Sequence, residues 1–211
     1  MNCSFANFVN GLSCSLPEPD YEKCGSDVKL DFDNELIKKY ALEAHNEFRS
    51  KVAAGYYSMN ATHGLPKATG RGIPNLIWDD QLACTAQKWA QQCVFRHYMG
   101  KSYIFSWVNQ NMFKTTGFYP SEEMVKSAVR MWFGEIKSWN NEGGNVTSCG
   151  SSIANRKGFM SRVGHLTQVI WGETSRVGCA IVASRSFGTE VVCNYGQGGN
   201  YRGARIYPTS S

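Results

Sequence analysis

The sequence predicts an α+β fold of packed layers, stapled by disulfides. Apolar stripes at helical spacing fill the first two-thirds of the chain, and β-branched or aromatic segments between Gly-containing turns fill the last third. The 211 residues also carry eight cysteines, an even number that points to an oxidising compartment. The length is within reach of one domain.

Residues 1–31 are rich in Cys, Pro and Gly without helical or strand period and read as an N-terminal extension; residues 32–211 read as a single domain. Ile37, Tyr40, Ala41, Ala44, Phe48 and Val52 recur on one face and predict a first helix over 32–54, ended by Gly55. The strand-like run Leu76-Ile77-Trp78 leads to Asp79, a good N-cap for a second helix. The stripe of that helix is Leu82, Ala86, Trp89, Ala90 and Cys93, and one further turn carries it to His97. A third helix follows Pro120, with Ser121 as N-cap and the stripe Met124, Ala128, Met131, Trp132, Glu135 and Trp139. Leu166–Trp171, Val177–Ala183 and Glu190–Tyr195 read as strands.

Composition excludes some classes. The net charge of +5 is spread over scattered Lys and Arg, with no basic stripe for nucleic acid. No apolar run approaches the ~20 residues of a membrane helix. No C-x-x-C or C-x-x-H pair suggests structural zinc. Sequons at Asn2, Asn60 and Asn145 agree with a secreted glycoprotein. The start lacks a charged and then apolar leader, so Met1 reads as an added initiator before a mature chain.

His97, Gln110, Glu135 and His165 lie where the pattern predicts burial or strand ends. A buried acid needs a partner. Two histidines and an acid converging in a cleft would satisfy one another and could hold a divalent ion. From spacing alone the plainer reading has the stronger claim: four core residues, each with local hydrogen bonds. His45 and Arg49, one helical turn apart, read as helix-packing residues, and His63 as a solvated loop residue.

Ordered motifs then add a resemblance. GHLTQVIW at 164–171 is followed by VGCA at 177–180 and VVCNYGQGGN at 191–200. Upstream stand AHNEFRSKVAAG at 44–55, NLIWDDQLACTAQKWAQQCVFRHY at 75–98 and MWFGEIKSW at 131–139. Together, over about residues 24–208, they resemble the superfamily of cysteine-rich secretory proteins, antigen 5 and plant pathogenesis-related proteins (CAP). The nearest subgroup resembles insect venom antigen 5 and the nematode venom allergen-like, or activation-associated secreted, proteins.

The resemblance implies a three-layer α-β-α sandwich and a cavity tetrad at His97, Gln110, Glu135 and His165. The family's G-E-N is here Asn109-Gln110-Asn111, so one acid is an amide, which weakens a metal site or a general base. A weakly held divalent cation, zinc or magnesium, would sit at His97 and His165, with no cofactor required. The implied disulfides are Cys24–Cys93, Cys179–Cys193 and Cys84–Cys149, leaving Cys3–Cys14.

The resemblance also implies sterol binding at the loop after the third helix, where Trp139 and Phe159 are the aromatics, and fatty-acid binding beside Tyr40, Phe48, Met131 and Trp132. The expected function is that of a secreted, non-enzymatic lipid binder acting on host or cell-surface proteins. The alternatives are a metal-dependent hydrolase at the His/Glu cavity and a pure interaction or allergen-like module.

Overall fold

The computed structural model describes residues 8–9, 12–13, 17–58, 64–98, 105–139, 160–200 and 204–209. Two short strands, β1 (Phe8–Val9) and β2 (Leu12–Ser13), pair antiparallel near the N-terminus, and a one-turn helix α1 spans Tyr21–Cys24. The long helix α2 covers Asn34–Ala53. Its N-cap Asp33 accepts hydrogen bonds from the amides of Glu35 and Leu36 at 2.9 and 3.1 Å. Gly55, at φ +82°, turns the chain away from the helix end.

β3 (Ile77–Trp78) leads into α3 (Asp80–Ala90), capped by the carboxylate of Asp79, which takes the amides of Gln81 and Leu82 at 3.0 Å each. β4 is Val108–Thr115, α4 Met124–Gly134, α5 Ile136–Trp139 and α6 Met160–Val169; β5 is Arg176–Ser184 and β6 Gly188–Gly196.

One four-stranded sheet in the order β3-β5-β6-β4 organises the molecule; β3 runs parallel to β5 and the other pairs are antiparallel. Strand alternation divides its side chains between two faces. Val177, Cys179, Ile181, Val191, Cys193 and Tyr195 join the larger core with α2, α4 and α6, whereas Met112, Ala180, Val182 and Val192 join Ala86 and Ala90 of α3. The result is the three-layer α-β-α sandwich. Gly178 shows how tightly α3 is laid down: a Cβ there would stand 2.0 Å from the Ala83 nitrogen and 2.5 Å from the Leu82 carbonyl carbon.

Cys179–Cys193 bridges directly paired residues of β5 and β6, and Cys24–Cys93 ties the end of α1 to the turn after α3. Cys84 is also disulfide-bonded. Its expected partner Cys149, together with Cys3 and Cys14, lies outside the described residues, as do Asn2, Asn60, His63, Asn145 and Phe159.

Four local expectations are corrected. Leu166–Trp171 is no strand: His165 to Val169 belong to helix α6. Burial all round from Leu166 to Trp171 hides a helical period, and the Thr, Val and Ile content mimics a strand. The second helix stops at Ala90, and the chain turns at Cys93 (φ +49°), so His97 is exposed beyond it rather than on the α3 stripe. The third helix begins at Met124; Ser121 instead accepts the Glu123 amide in the preceding turn, at 3.3 Å. On that helix Met131, expected on the apolar stripe, is 61% exposed.

Candidate functional site

The four candidate residues form two hydrogen-bonded pairs. In the first, Gln110 stands on edge strand β4 opposite Asn194 of β6. Its carbonyl oxygen accepts from His97 Nδ1 at 3.3 Å and from the Tyr98 amide at 3.1 Å, and its Nε2 donates to Asn194 Oδ1 at 3.0 Å. Asn194 in turn donates to the Leu82 carbonyl and to Thr85 Oγ1 of α3. An amide serves this position well, because one end meets two donors and the other an acceptor.

In the second pair, Glu135 sits at the break between α4 and α5. Its Oε1 accepts from His165 Nδ1 at 2.6 Å and its Oε2 from the Leu166 amide at 3.0 Å. The indole of Trp132 lies parallel to the His165 ring, with centroids 6.2 Å apart.

Alternation along β4 sends Gln110 toward the α3 layer and its neighbour Asn111 toward the α6 layer. Asn111 Nδ2 donates to the His165 carbonyl at 3.1 Å and to the Tyr195 hydroxyl at 3.3 Å. The Tyr195 hydroxyl donates to His45 Nε2 at 2.8 Å, and His45 Nδ1 donates to the Ala41 carbonyl at 2.8 Å. Burial holds the His45 imidazole neutral, with its pKa down to about 4, and raises the Tyr195 phenol.

This buried chain runs from α2 through β6 and β4 to the backbone of His165. Asn111 and Tyr195 were missed as site-positioning residues. Nothing local marks them, because their partners lie on α2 and α6.

The HLTQ run of α6 is a set of polar anchors. His165 takes Glu135; Thr167 Oγ1 donates to Asn200 Oδ1 at 2.7 Å; Gln168 Oε1 accepts from Asn109 Nδ2 and the Gly199 amide, each at 2.8 Å. Arg49, fully buried as expected of a packing residue, donates to the carbonyls of Pro74, Val169, Trp171 and Thr174 and so holds the end of α6.

The donor set can be weighed for a divalent ion. Each histidine has Nδ1 held by an oxygen, which leaves Nε2 as a ligand atom. Both Glu135 oxygens are engaged by donors, so this acid orients an imidazole. Among the described residues no three His, Cys, Asp or Glu side chains group to hold a metal. The set offers one imidazole Nε2 from each pair.

Between α2 and α4 lies an apolar seam. Phe48 stacks on Phe133 with centroids 4.0 Å apart, and Tyr57 packs on the same ring. Tyr40 is half-buried beneath Lys126, whose ammonium is 4.3 Å from the ring centroid and 2.8 Å from a Glu43 oxygen. Trp132 is core beneath this seam, its indole N–H bonded to the Met112 carbonyl at 3.1 Å. Trp139 is buried in the same core.

Residues 42–195 match the family model described as the cysteine-rich secretory protein family, CAP. Venom allergen 5 of Microctonus hyperodae is 35% identical over 83% of this chain and 72% of its own length. Venom allergen 3 of Solenopsis invicta is 33% identical over 98% and 91%. Among solved structures, Na-ASP-1 superposes with a TM-score of 0.70 at 28% identity over 93% of this chain and 46% of its own. NaASP2 with Zn2+ gives 0.66 at 29% identity over 89% and 90%.

Proposed function

The chain belongs to the cysteine-rich secretory protein family, and from that premise we propose that it is a secreted, non-enzymatic lipid-binding protein that takes a fatty acid along the α2–α4 seam. Relatives that are venom allergens support secretion, as do the disulfides. The observation that carries the ligand is the seam itself. The aromatic rings of Tyr40, Phe48 and Phe133 offer an acyl chain a path, and the Lys126 ammonium, now shared with Glu43, offers its carboxylate a partner.

Sterol is the weaker half of the lipid reading, because Trp139 is committed to the core. The protein would then act outside cells as an effector on host or cell-surface proteins. A divalent cation at His97 and His165 is a secondary reading, supported by the free Nε2 atoms and by a relative crystallised with zinc. A hydrolase is disfavoured, since a catalytic zinc usually takes three protein ligands and Glu135 already serves two donors.

Fluorescent fatty-acid titration tests the reading. Saturable uptake by the native protein, weakened several-fold in Lys126→Met and in Tyr40→Asp, is expected. Zinc-dependent peptide cleavage abolished by Glu135→Ala, without saturable lipid uptake, would overturn it.

A further inference from the structure

Glu190 lies in the middle of the sheet, on strand β6, with Lys114 of β4 on one side and Val182 of β5 on the other. It has no exposed surface, and neither carboxyl oxygen has a hydrogen-bond partner among the described residues. A buried acid without partners is costly in its charged form. Its face of the sheet is the smaller apolar core: Val182, Val192 and Met112 in the strands, Ala86 and Ala90 of α3, Cys24, Val28 and Leu30 of the N-terminal segment, and Phe187 of the β5–β6 turn.

That N-terminal segment is a strap across the same hairpin. The Lys29 amide donates to the Ala183 carbonyl at 2.8 Å. The hydroxyls of Ser184 and Ser186 donate to the Cys24 carbonyl, and the Arg185 amide donates to Asp27 Oδ2 at 2.9 Å. The Cys24–Cys93 disulfide anchors the strap at one end.

We propose that Glu190 is a pH-sensitive latch for this strap: as a neutral acid it lets residues 25–31 stay seated on the hairpin, and as a carboxylate it drives them to loosen and admit water.

The charges around it are few. Among the described residues Lys114 is the one cation acting on the acid, yet its ammonium rests 3.6 Å from the centroid of the Phe187 ring instead of forming an ion pair. On the strap and turn, Lys29 pairs with exposed Asp31, and Arg185 faces Asp27 at the surface. The α3 side chains on this core are Ala86, Ala90 and partly buried Trp89, and β5 contributes Ala180 and Val182, none of them charged.

Burial moves the Glu190 carboxyl from its usual 4.5 up to about 7, partly offset by Lys114. An open strap restores the ordinary acidity. The sign follows: the closed state binds more protons between these two values, so closure is fully favoured below pH 4.5 and weakens as pH rises, levelling off above about 7. Since the disulfide is retained, opening exposes the strap and hairpin turn without releasing the segment.

The test is amide hydrogen exchange across about pH 5 to 8, normalised to intrinsic rates. Protection of the Lys29 and Ala183 amides should fall about tenfold or more in the native protein, levelling off near neutrality, while amides of α2 keep theirs. Glu190→Gln should abolish the pH dependence. Lys114→Met, which keeps the acid and removes the cation, should move the levelling-off to higher pH and serves if the first variant does not fold. A flat native profile, a fall that persists in Glu190→Gln, or a levelling-off unmoved by Lys114→Met would overturn the proposal.

Discussion

Glu135 joins His165 across 2.6 Å, and its second oxygen takes the amide of the next residue, so one carboxylate fixes both the ring and the backbone of α6 to the end of α4. Charge-assisted bonds of this kind contribute more than neutral ones. Glu135→Gln keeps the shape but removes the charge and turns one end of the group into a donor. The expected loss is about 1–3 kcal/mol in urea denaturation, with broadened His165 ring resonances. A variant of unchanged stability would show that the contact is not held in solution.

Gln110→Glu tests the amide of the first pair. A carboxylate would retain the bonds from His97 and Tyr98 but would face Asn194 Oδ1 with an acceptor where Nε2 now donates. Asn194 is itself committed to α3 through its own amide nitrogen. The substitution should therefore destabilise the fold by about 1–3 kcal/mol and, by making His97 Nε2 a stronger donor to metal, tighten zinc binding in calorimetry. Unchanged zinc affinity would separate Gln110 from any cation site.

The helices α2 and α3, the two long hairpin strands and the capping Asp79 are legible because each obeys one local rule: a period of 3.6 or a β-branched run beside a turn, with a side-chain cap for α3. The four tetrad residues stand out as polar side chains where the pattern predicts burial or strand ends, and the motif resemblance groups them as one cavity. What stayed hidden is tertiary. β4 was not read as a strand because Asn109, Gln110 and Asn111 spend their side chains on α6, His97, β6 and Tyr195. No local pattern distinguishes such a strand from a loop. His97 was carried one turn too far because nothing in the stripe Ala86, Ala90, Cys93 signals that Cys93 turns to positive φ.

His45 should make the protein acid-sensitive. Its pKa falls from the usual 6.5 to about 4, chiefly through burial. The unfolded chain therefore takes up a proton below about pH 6.5 that the folded protein refuses. Stability is full above that value and declines as pH falls toward 4, by up to about 3 kcal/mol. Denaturation midpoints at pH 7 and 4.5 should differ less in His45→Gln than in the native protein. Glu190 runs the opposite way, losing stability as pH rises from 4.5 to about 7, so Glu190→Gln should steepen the net acid decline. Identical slopes in all three proteins would contradict both assignments.

Arg49 supplies the sharpest stability test. Its guanidinium is fully buried and, among the described residues, donates to four backbone carbonyls, from Pro74 and from the stretch that ends α6 and leads to β5. Its planar fork reaches acceptors on both sides at once: Nε takes Pro74, Nη1 takes Val169 and Trp171, and Nη2 takes Thr174. Arg49→Lys preserves the charge but offers a single ammonium at a shorter reach, leaving at least one buried carbonyl without a donor. Arg49→Met leaves all four. The expected costs are about 2–3 kcal/mol for lysine and more for methionine, read from urea midpoints at constant m-value. Because Val169 and Trp171 follow His165 on the same segment, both variants should also loosen the Glu135–His165 contact, seen as faster exchange of the Leu166 amide. Exposed Arg130→Lys serves as the control and should change stability little. A loss below about 1 kcal/mol in Arg49→Met would show that water replaces the guanidinium and that the end of α6 is held by apolar packing alone.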